Sequence, residues 1–253
     1  MRSIRRALVP VGVAVAALVF VGGAGATTSA LQHFGAKTCN GSILRSGSYA
    51  SLRVTGPCKL SDRAYVVVRG NMVVGHHGLF DGITKGHLGV WGSMYVRSGG
   101  AVGLGCSPAA GCSVTTRDHI QGDVIANAPL AMIFHSNRID GRIYQSGGGG
   151  GVNCNNLLMG GPAFTTYEDN RVGGNITVRW MRSCWFGLFR NHVGGSVRVN
   201  HNTFADPDAD EIQTNVIAGN LICRANSPAP QTGDSGGMIN IVAGSKVGQC
   251  RKV

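Results

Sequence analysis

Four cationic residues recur along this chain in the same local context. His119, Arg138, Arg171 and His192 each stand directly before Ile or Val and three residues before a glycine. Side chains at one position of successive rungs in a parallel β structure stack about 4.8 Å apart, so these four would form a strip about 15 Å long. Forked guanidinium groups along such a strip could bind the repeating anions of a polymer.

Further charged residues accompany this strip at other fixed distances from the same glycines. The position two residues upstream of the strip holds Arg117, Ser136, Asp169 and Arg190, and two more arginines follow the glycines. The sequence therefore predicts a binding surface made of Arg117, His119, Arg138, Arg142, Arg171, Arg190, His192 and Arg198. The alternative is a solvated face whose cations pair with Asp123, Asp140 and Asp169, because exposed ion pairs are common and individually weak.

A short acidic run could bind a metal ion. Its carboxylates are Asp206, Asp208, Asp210 and Glu211. Oxygen ligands at alternate positions of a loop suit a hard cation such as Ca²⁺, although the run lacks the glycine and the distal glutamate of an EF-hand loop. A solvated turn is the alternative. Bound Ca²⁺ would permit a lyase mechanism, in which the metal holds a uronate carboxylate and a neighbouring Arg or Lys abstracts the adjacent proton.

Aromatic residues cluster around one cysteine. Trp180, Trp185, Phe186 and Phe189 surround Cys184. An exposed tryptophan can stack on a sugar ring or a base. The ordinary role of such a cluster is to pack against a disulfide, because tryptophan side chains are usually well buried.

A repeated pattern indicates the elements that would position these residues. The pattern Asn-x-(Ile/Val)-x-Gly-x-(Val/Ile/Leu) occupies 137–143, 170–176, 191–197 and 215–221, and variants occupy 118–124 and 240–246. Weaker copies centre on Gly70 and Gly92. Repeats of about 20 residues with period-two alternation are typical of a β solenoid. The sequence predicts an all-β, right-handed parallel β-helix with rungs of about 20 residues.

The alternation also assigns the inner face. The residues predicted to be buried are Ile139, Ile143, Val172, Ile176, Val193, Val197, Ile217 and Leu221. The repeated glycine shares their parity and is expected at a bend where backbones crowd. The repeated asparagine is expected at the corners, where stacked side chains can hydrogen-bond one another and the turn backbone.

The ends and the cysteines favour an exported protein. Residues 1–26 have the basic start, apolar run and small-residue cleavage site of a signal peptide, and residues 27–253 would form one β-helix domain. No later apolar run is long enough to span a bilayer. All eight cysteines follow the leader, and because each rung contacts only its neighbours we predict pairing in chain order: Cys39–Cys58, Cys106–Cys112, Cys154–Cys184 and Cys223–Cys250.

The chain is basic throughout. Its formal net charge is +11, and removal of the leader, which holds three basic residues, leaves +8. Such a balance favours contact with polyanions such as acidic polysaccharide or cell-wall polymer, while simple solubility is the alternative. No dedicated nucleic-acid motif is present.

Several tracts carry a resemblance to known proteins. Residues 120–126, 146–154, 183–191, 206–211, 219–228 and 234–250 resemble secreted, Gly-rich actinobacterial proteins of uncharacterised function with β-helix repeats. The resemblance implies the right-handed parallel β-helix that pectate lyases also have, and it supplies no catalytic residues. We expect a secreted or cell-envelope protein that binds or scaffolds an anionic polymer without catalysis and without a cofactor. The alternative is a small polysaccharide lyase or hydrolase that uses Ca²⁺.

Overall fold

The structure is a computed structural model that describes residues 34–108, 111–158, 161–233 and 237–253. The predicted leader, residues 1–26, lies outside the described residues. Three parallel sheets organise the described chain, and successive strands pass from the first sheet to the second and the third before returning to the first. Each return adds a rung, so the chain forms the predicted parallel β-helix.

The three sheets differ in length and in the span of their strands. Sheet 1 has ten strands: β1 (Ala36–Cys39), β4 (Ser51–Val54), β7 (Met72–Val74), β10 (Met94–Val96), β13 (Val124–Asn127), β16 (Ile143–Ser146), β21 (Ile176–Arg179), β25 (Val197–Asn200), β29 (Leu221–Arg224) and β31 (Lys246–Gly248). Sheet 2 has eight: β2 (Ser42–Leu44), β5 (Pro57–Leu60), β8 (Leu79–Gly82), β11 (Ala101–Leu104), β14 (Ala131–His135), β19 (Thr165–Glu168), β23 (Phe186–Phe189) and β27 (Asp210–Gln213). Sheet 3 has nine: β3 (Gly47–Tyr49), β6 (Tyr65–Val68), β9 (His87–Val90), β12 (His119–Ile120), β15 (Arg138–Ile139), β20 (Arg171–Val172), β24 (His192–Val193), β28 (Val216–Ile217) and β30 (Ile241–Val242).

Smaller elements complete the fold. An antiparallel pair joins β17 (Leu157–Leu158) to β18 (Gly161–Pro162), and a parallel pair joins β22 (Arg182–Ser183) to β26 (Thr203–Phe204). A 3₁₀ helix spans Gln249–Lys252.

The inner face follows the predicted alternation. Every residue that the repeat assigns to the core is at most 3% exposed. Val193 stacks in register on Val172 and Ile217, so each rung buries its branched side chain against the rungs on either side. Each fully buried side chain of this size contributes about 1.5–3 kcal/mol, and the column therefore holds the rungs together.

Buried asparagines form a ladder along the corner between sheets 2 and 3, as the sequence predicts. Asn170, Asn191 and Asn215 are each at most 1% exposed. Asn191 Nδ2 donates to Asn215 Oδ1 at 2.9 Å and to the Tyr167 carbonyl at 2.7 Å, and Asn170 Nδ2 repeats the first contact with Asn191 Oδ1 at 3.0 Å. Because buried amides are costly unless they are hydrogen-bonded, the ladder fixes the register of the corner.

The repeated glycines are half-buried at the corner between sheets 3 and 1. Gly141 N donates to the Gly122 carbonyl at 3.2 Å, and Gly122 N donates to the Gly92 carbonyl at 2.9 Å. A Cβ on Gly141 would overlap Asp123 Oδ1 and lie 2.6 Å from the Gly122 carbonyl oxygen. Glycine is thus required because the backbones of adjacent rungs approach closely, as expected.

The four disulfides pair in chain order. The Cα atoms are 5.7 Å apart in Cys39–Cys58 and Cys106–Cys112, 4.6 Å apart in Cys154–Cys184 and 5.1 Å apart in Cys223–Cys250. The predicted pairing is therefore the one in the structure. Cys223 and Cys250 tie the 3₁₀ helix to β29, and both are buried.

Candidate functional site

The predicted cationic strip lies on the outer face of sheet 3. His119 pairs in register with Arg138, Arg138 with Arg171, and Arg171 with His192. Arg138, Arg171 and His192 are exposed, and His119 is half-buried. The short strands β12, β15, β20 and β24 are responsible for this alignment, because each places its first residue outward and its second in the core.

Carboxylates neutralise one end of the strip. Asp140 accepts hydrogen bonds from Arg138 Nε and from His119 Nε2, both at 2.7 Å. Burial acts to raise the pKa of the Asp140 carboxyl, but these two contacts outweigh it and hold the pKa below its usual value. His119 and Arg138 are thus already paired with Asp140. This part of the strip fits the alternative interpretation, in which the basic residues pair with aspartates.

Arg190 is paired still more tightly. Its Nε and Nη2 donate to the two oxygens of Asp169 at 2.7 and 2.9 Å, and Nη2 also donates to Glu168 Oε2 at 3.0 Å. These bonds, those to Asp169 first, raise the pKa of the guanidinium. Beneath them, His135 Nδ1 lies 3.7 Å from Glu168 Oε2, and burial lowers the pKa of the His135 imidazole.

Arg142 and Arg198 do not join the strip. Arg142 Nε contacts Asp123 Oδ2 at 3.1 Å at the corner between sheets 3 and 1. Arg198 is half-buried on the outer face of sheet 1, in register with Thr177 and Ile222. The expectation that Arg198 belongs to the same binding surface as the strip is wrong, because the chain turns a corner between the glycine and this position and places Arg198 on sheet 1.

Arg171 and His192 are the basic residues of the strip that have no carboxylate partner in the described part of the chain. They stand beside an open groove of about 490 Å³ that runs over sheet 3. Gly173 and Gly194 line its floor and have no side chain to fill it; a Cβ on either would also overlap the carbonyl oxygen of the preceding rung. We call this depression the sheet 3 groove.

The sheet 3 groove is lined by apolar side chains at one end and by basic side chains at the other. Toward the C-terminal rungs the strip position holds Val216 and Ile241, which are 38% and 68% exposed. At the basic end, a second depression of about 500 Å³ shares Arg171 and His192 with the groove and reaches Arg117, which is exposed and has no ion-pair partner among the described residues. The basic end of the groove thus combines the unpaired Arg117, Arg171 and His192 with the paired Arg138, Arg190 and Asp169.

The acidic run does not converge on one point. Asp206 Oδ1 accepts a hydrogen bond from Asp208 N at 3.0 Å, which closes a turn. Asp210 and Glu211 lie in β27 on opposite faces and are both buried, and burial raises the pKa of the Asp210 carboxyl well above its usual value. Glu211 accepts from Trp185 Nε1 at 3.3 Å. Across residues 34–108, 111–158, 161–233 and 237–253, no group of three or more His, Cys, Asp or Glu residues could hold a metal.

The aromatic cluster divides in two. Trp185 is half-buried and packs edge-on against Phe164, with ring centroids 5.7 Å apart, while Phe186 and Phe189 are buried. These three side chains pack against other aromatic rings, and their packing against the disulfide stays a prediction. Trp180 differs, because it is 55% exposed and stacks on His201 instead.

Two features of the site were not predicted from the sequence, and only one of them had a signal there. The pairing state of each cation depends on side-chain contacts between rungs, and sequence reasoning left it open. The groove floor did have a signal, the adjacent glycines of Gly173-Gly174 and Gly194-Gly195, of which only the second glycine belongs to the repeat.

Comparisons with known proteins add nothing to this geometry: no protein-family model, curated protein or solved structure matches the chain. The described residues contain no helix with the length and apolar character needed to cross a membrane.

Proposed function

We propose that this chain is a secreted or cell-envelope protein that binds an anionic polymer, such as an acidic polysaccharide, in the basic end of the sheet 3 groove. The observation that carries the proposal is the strand register that places Arg171 beside His192 on adjacent rungs. Both side chains are exposed, and neither has a carboxylate partner in the described chain. Polymer anions would supply the missing partners.

The shape of the surface supports an extended ligand. Arg171 and His192 lie about 4.8 Å apart along the solenoid axis, and the glycine floor beside them leaves room for a chain that runs across the rungs. Arg117 extends the cationic surface beyond the strip. Affinity would come from several weak, solvent-exposed contacts and would therefore fall steeply with salt.

Paired cations contribute less in this proposal. Arg138 and Arg190 would have to give up carboxylates at 2.7 Å before they could bind a polymer anion.

Export is supported by the four disulfides, which persist in oxidising compartments. The resemblance to Gly-rich actinobacterial secreted proteins is in keeping with it.

Retention on a heparin column tests the proposal. We expect Arg171→Ala to elute at lower salt than wild type. Arg53→Ala is the matched control, because Arg53 is an exposed arginine on sheet 1 that has no ion-pair partner in the described chain. Equal elution of the two variants would reject the groove as the binding site. Release of unsaturated sugars from an acidic polysaccharide would instead favour the lyase alternative.

A further inference from the structure

A second aromatic and cationic surface lies on a different corner of the solenoid, between sheets 1 and 2. Trp180 follows β21 and His201 follows β25, the next strand of sheet 1. Both residues adopt left-handed backbone conformations, with φ of 58° and 57°. Their rings stack with centroids 4.2 Å apart and planes within 10°. The stack is thus set by the rung spacing.

One face of the Trp180 ring is open. The corner position on the preceding rung is Gly147, whose N donates to the Arg179 carbonyl at 2.8 Å. The atoms nearest to a Cβ on Gly147 would be those of Ala128, at 3.6 Å or more. No other aromatic ring in the described residues stacks on Trp180. The preceding rung therefore has no side chain at the position that faces Trp180 opposite His201.

Two cationic side chains lie close to Trp180 along the chain. Arg179 and Arg182 are exposed and have no carboxylate partner in the part of the chain that the structure describes. The Arg179 guanidinium lies 5.1 Å from the centroid of the Tyr144 ring, which keeps it beside the corner. An anionic group on a ring that stacks on Trp180 would therefore find guanidinium partners nearby.

We infer that Trp180, with His201 stacked on one face and Arg179 and Arg182 beside it, forms a binding site for one ring of an acidic saccharide. The sugar ring stacks on the open face of the indole, and its carboxylate or sulfate pairs with the arginines. A single open ring face favours one sugar over single-stranded nucleic acid, because nucleic-acid platforms stack successive bases on several aromatic side chains. The site is on another corner from the sheet 3 groove and does not depend on it.

Titration of intrinsic fluorescence and of heat with acidic oligosaccharides tests this inference. The probes are oligogalacturonate and a hyaluronan oligosaccharide, and a neutral cello-oligosaccharide and oligo-dT are measured in parallel. We expect the acidic probes to quench the fluorescence of wild type. In Trp180→Ala the affinity should fall about 5- to 100-fold, the range for removal of one stacking contact. Trp180→Phe should retain part of the affinity because it keeps a ring.

Two controls separate this site from others. Trp91→Ala removes another exposed tryptophan, one whose ring already has the Arg69 guanidinium 4.8 Å from its centroid, and should bind as wild type does. Arg171→Ala tests the groove and should leave the quenching unchanged. Equal affinity of Trp180→Ala and wild type would overturn the inference. Binding of oligo-dT without binding of the acidic sugars would overturn it in favour of nucleic acid.

Discussion

Asp118 and Asn137 occupy successive positions of the buried ladder, and each keeps one side-chain oxygen, Asp118 Oδ2 and Asn137 Oδ1, without a hydrogen-bond partner. Elsewhere in the ladder, an asparagine Nδ2 donates to the Oδ1 of the next rung. Asp118 has no amide hydrogen to donate, so it can supply one to Asn137 only as a protonated acid. Burial raises the pKa of the Asp118 carboxyl to about 7, and the backbone amides of Leu88 and Gly105 oppose this rise.

Asp118 should make stability depend on pH. Its folded pKa of about 7 exceeds the unfolded value of 3.8, so the folded chain binds the proton more tightly. Its contribution to the free energy of unfolding is fully present below about pH 4, falls as pH rises toward 7 and is lost above pH 7. The total contribution is on the order of 4 kcal/mol. Thermal melts of wild type and Asp118→Asn between pH 4 and 8 measure it.

In Asp118→Asn the amide can donate at every pH. The variant should therefore melt higher than wild type at pH 8, and its melting temperature should vary less over this range. A wild-type melting temperature that rises steadily from pH 4 to pH 8, with the same rise in the variant, would contradict the assignment.

The asparagine ladder should carry more stability than the exposed polar side chains of the glycine corner. Asn191→Ala removes two side-chain donors and an acceptor from the interior and leaves buried partners unsatisfied, at a cost of about 1–3 kcal/mol for each unsatisfied group. Asn175→Ala is the control, because Asn175 is exposed and accepts one hydrogen bond from Ser196 N at 2.7 Å. Urea denaturation that gave equal midpoints for both variants would refute this difference.

Burial on the inner face can be tested at one rung. Val193→Asp places an unpaired charge among Val172, Ile217 and the rest of the column and should unfold the neighbouring rungs. Val216→Asp, on the outer face of β28, should have a small effect because that side chain is 38% exposed. Circular dichroism melts compare the two, and if both variants melted together with wild type the inner and outer faces would be misassigned.

Much of the architecture follows from the sequence because its cause is local. Period-two alternation determines that Val193 and Val197 point inward, and one asparagine per rung is enough to predict the ladder. A second ladder was missed, in which Asn202 Nδ2 donates to Asn226 Oδ1 at 3.0 Å at another corner. Both asparagines stand seven residues after a repeated glycine, but the same position holds Gly148 and Met181 on the two preceding rungs, so only two copies of the repeat carry this signal.

The candidate sites depend on single departures from the repeat and on local backbone conformation, which the repeat itself does not reveal. Arg138 and Arg171 occupy the same position of the repeat, yet only Arg138 is followed two residues later by an aspartate, and Gly173 takes that place after Arg171. Trp180 and Trp185 belong to one cluster, yet the left-handed turn at Trp180 places its ring outside while Trp185 packs against Phe164.

The central claim is that unpaired cations of the strip bind the polymer and that Asp140 keeps Arg138 and His119 from doing so. Asp140→Asn removes the carboxylate that holds both side chains at 2.7 Å. Asp208→Asn makes the same change of charge at an exposed aspartate in the turn of the acidic run and serves as the control. The decisive measurement is the salt concentration at which each variant elutes from heparin. We predict that Asp140→Asn elutes at clearly higher salt than both wild type and Asp208→Asn, and elution of the two variants at the same salt would contradict the claim.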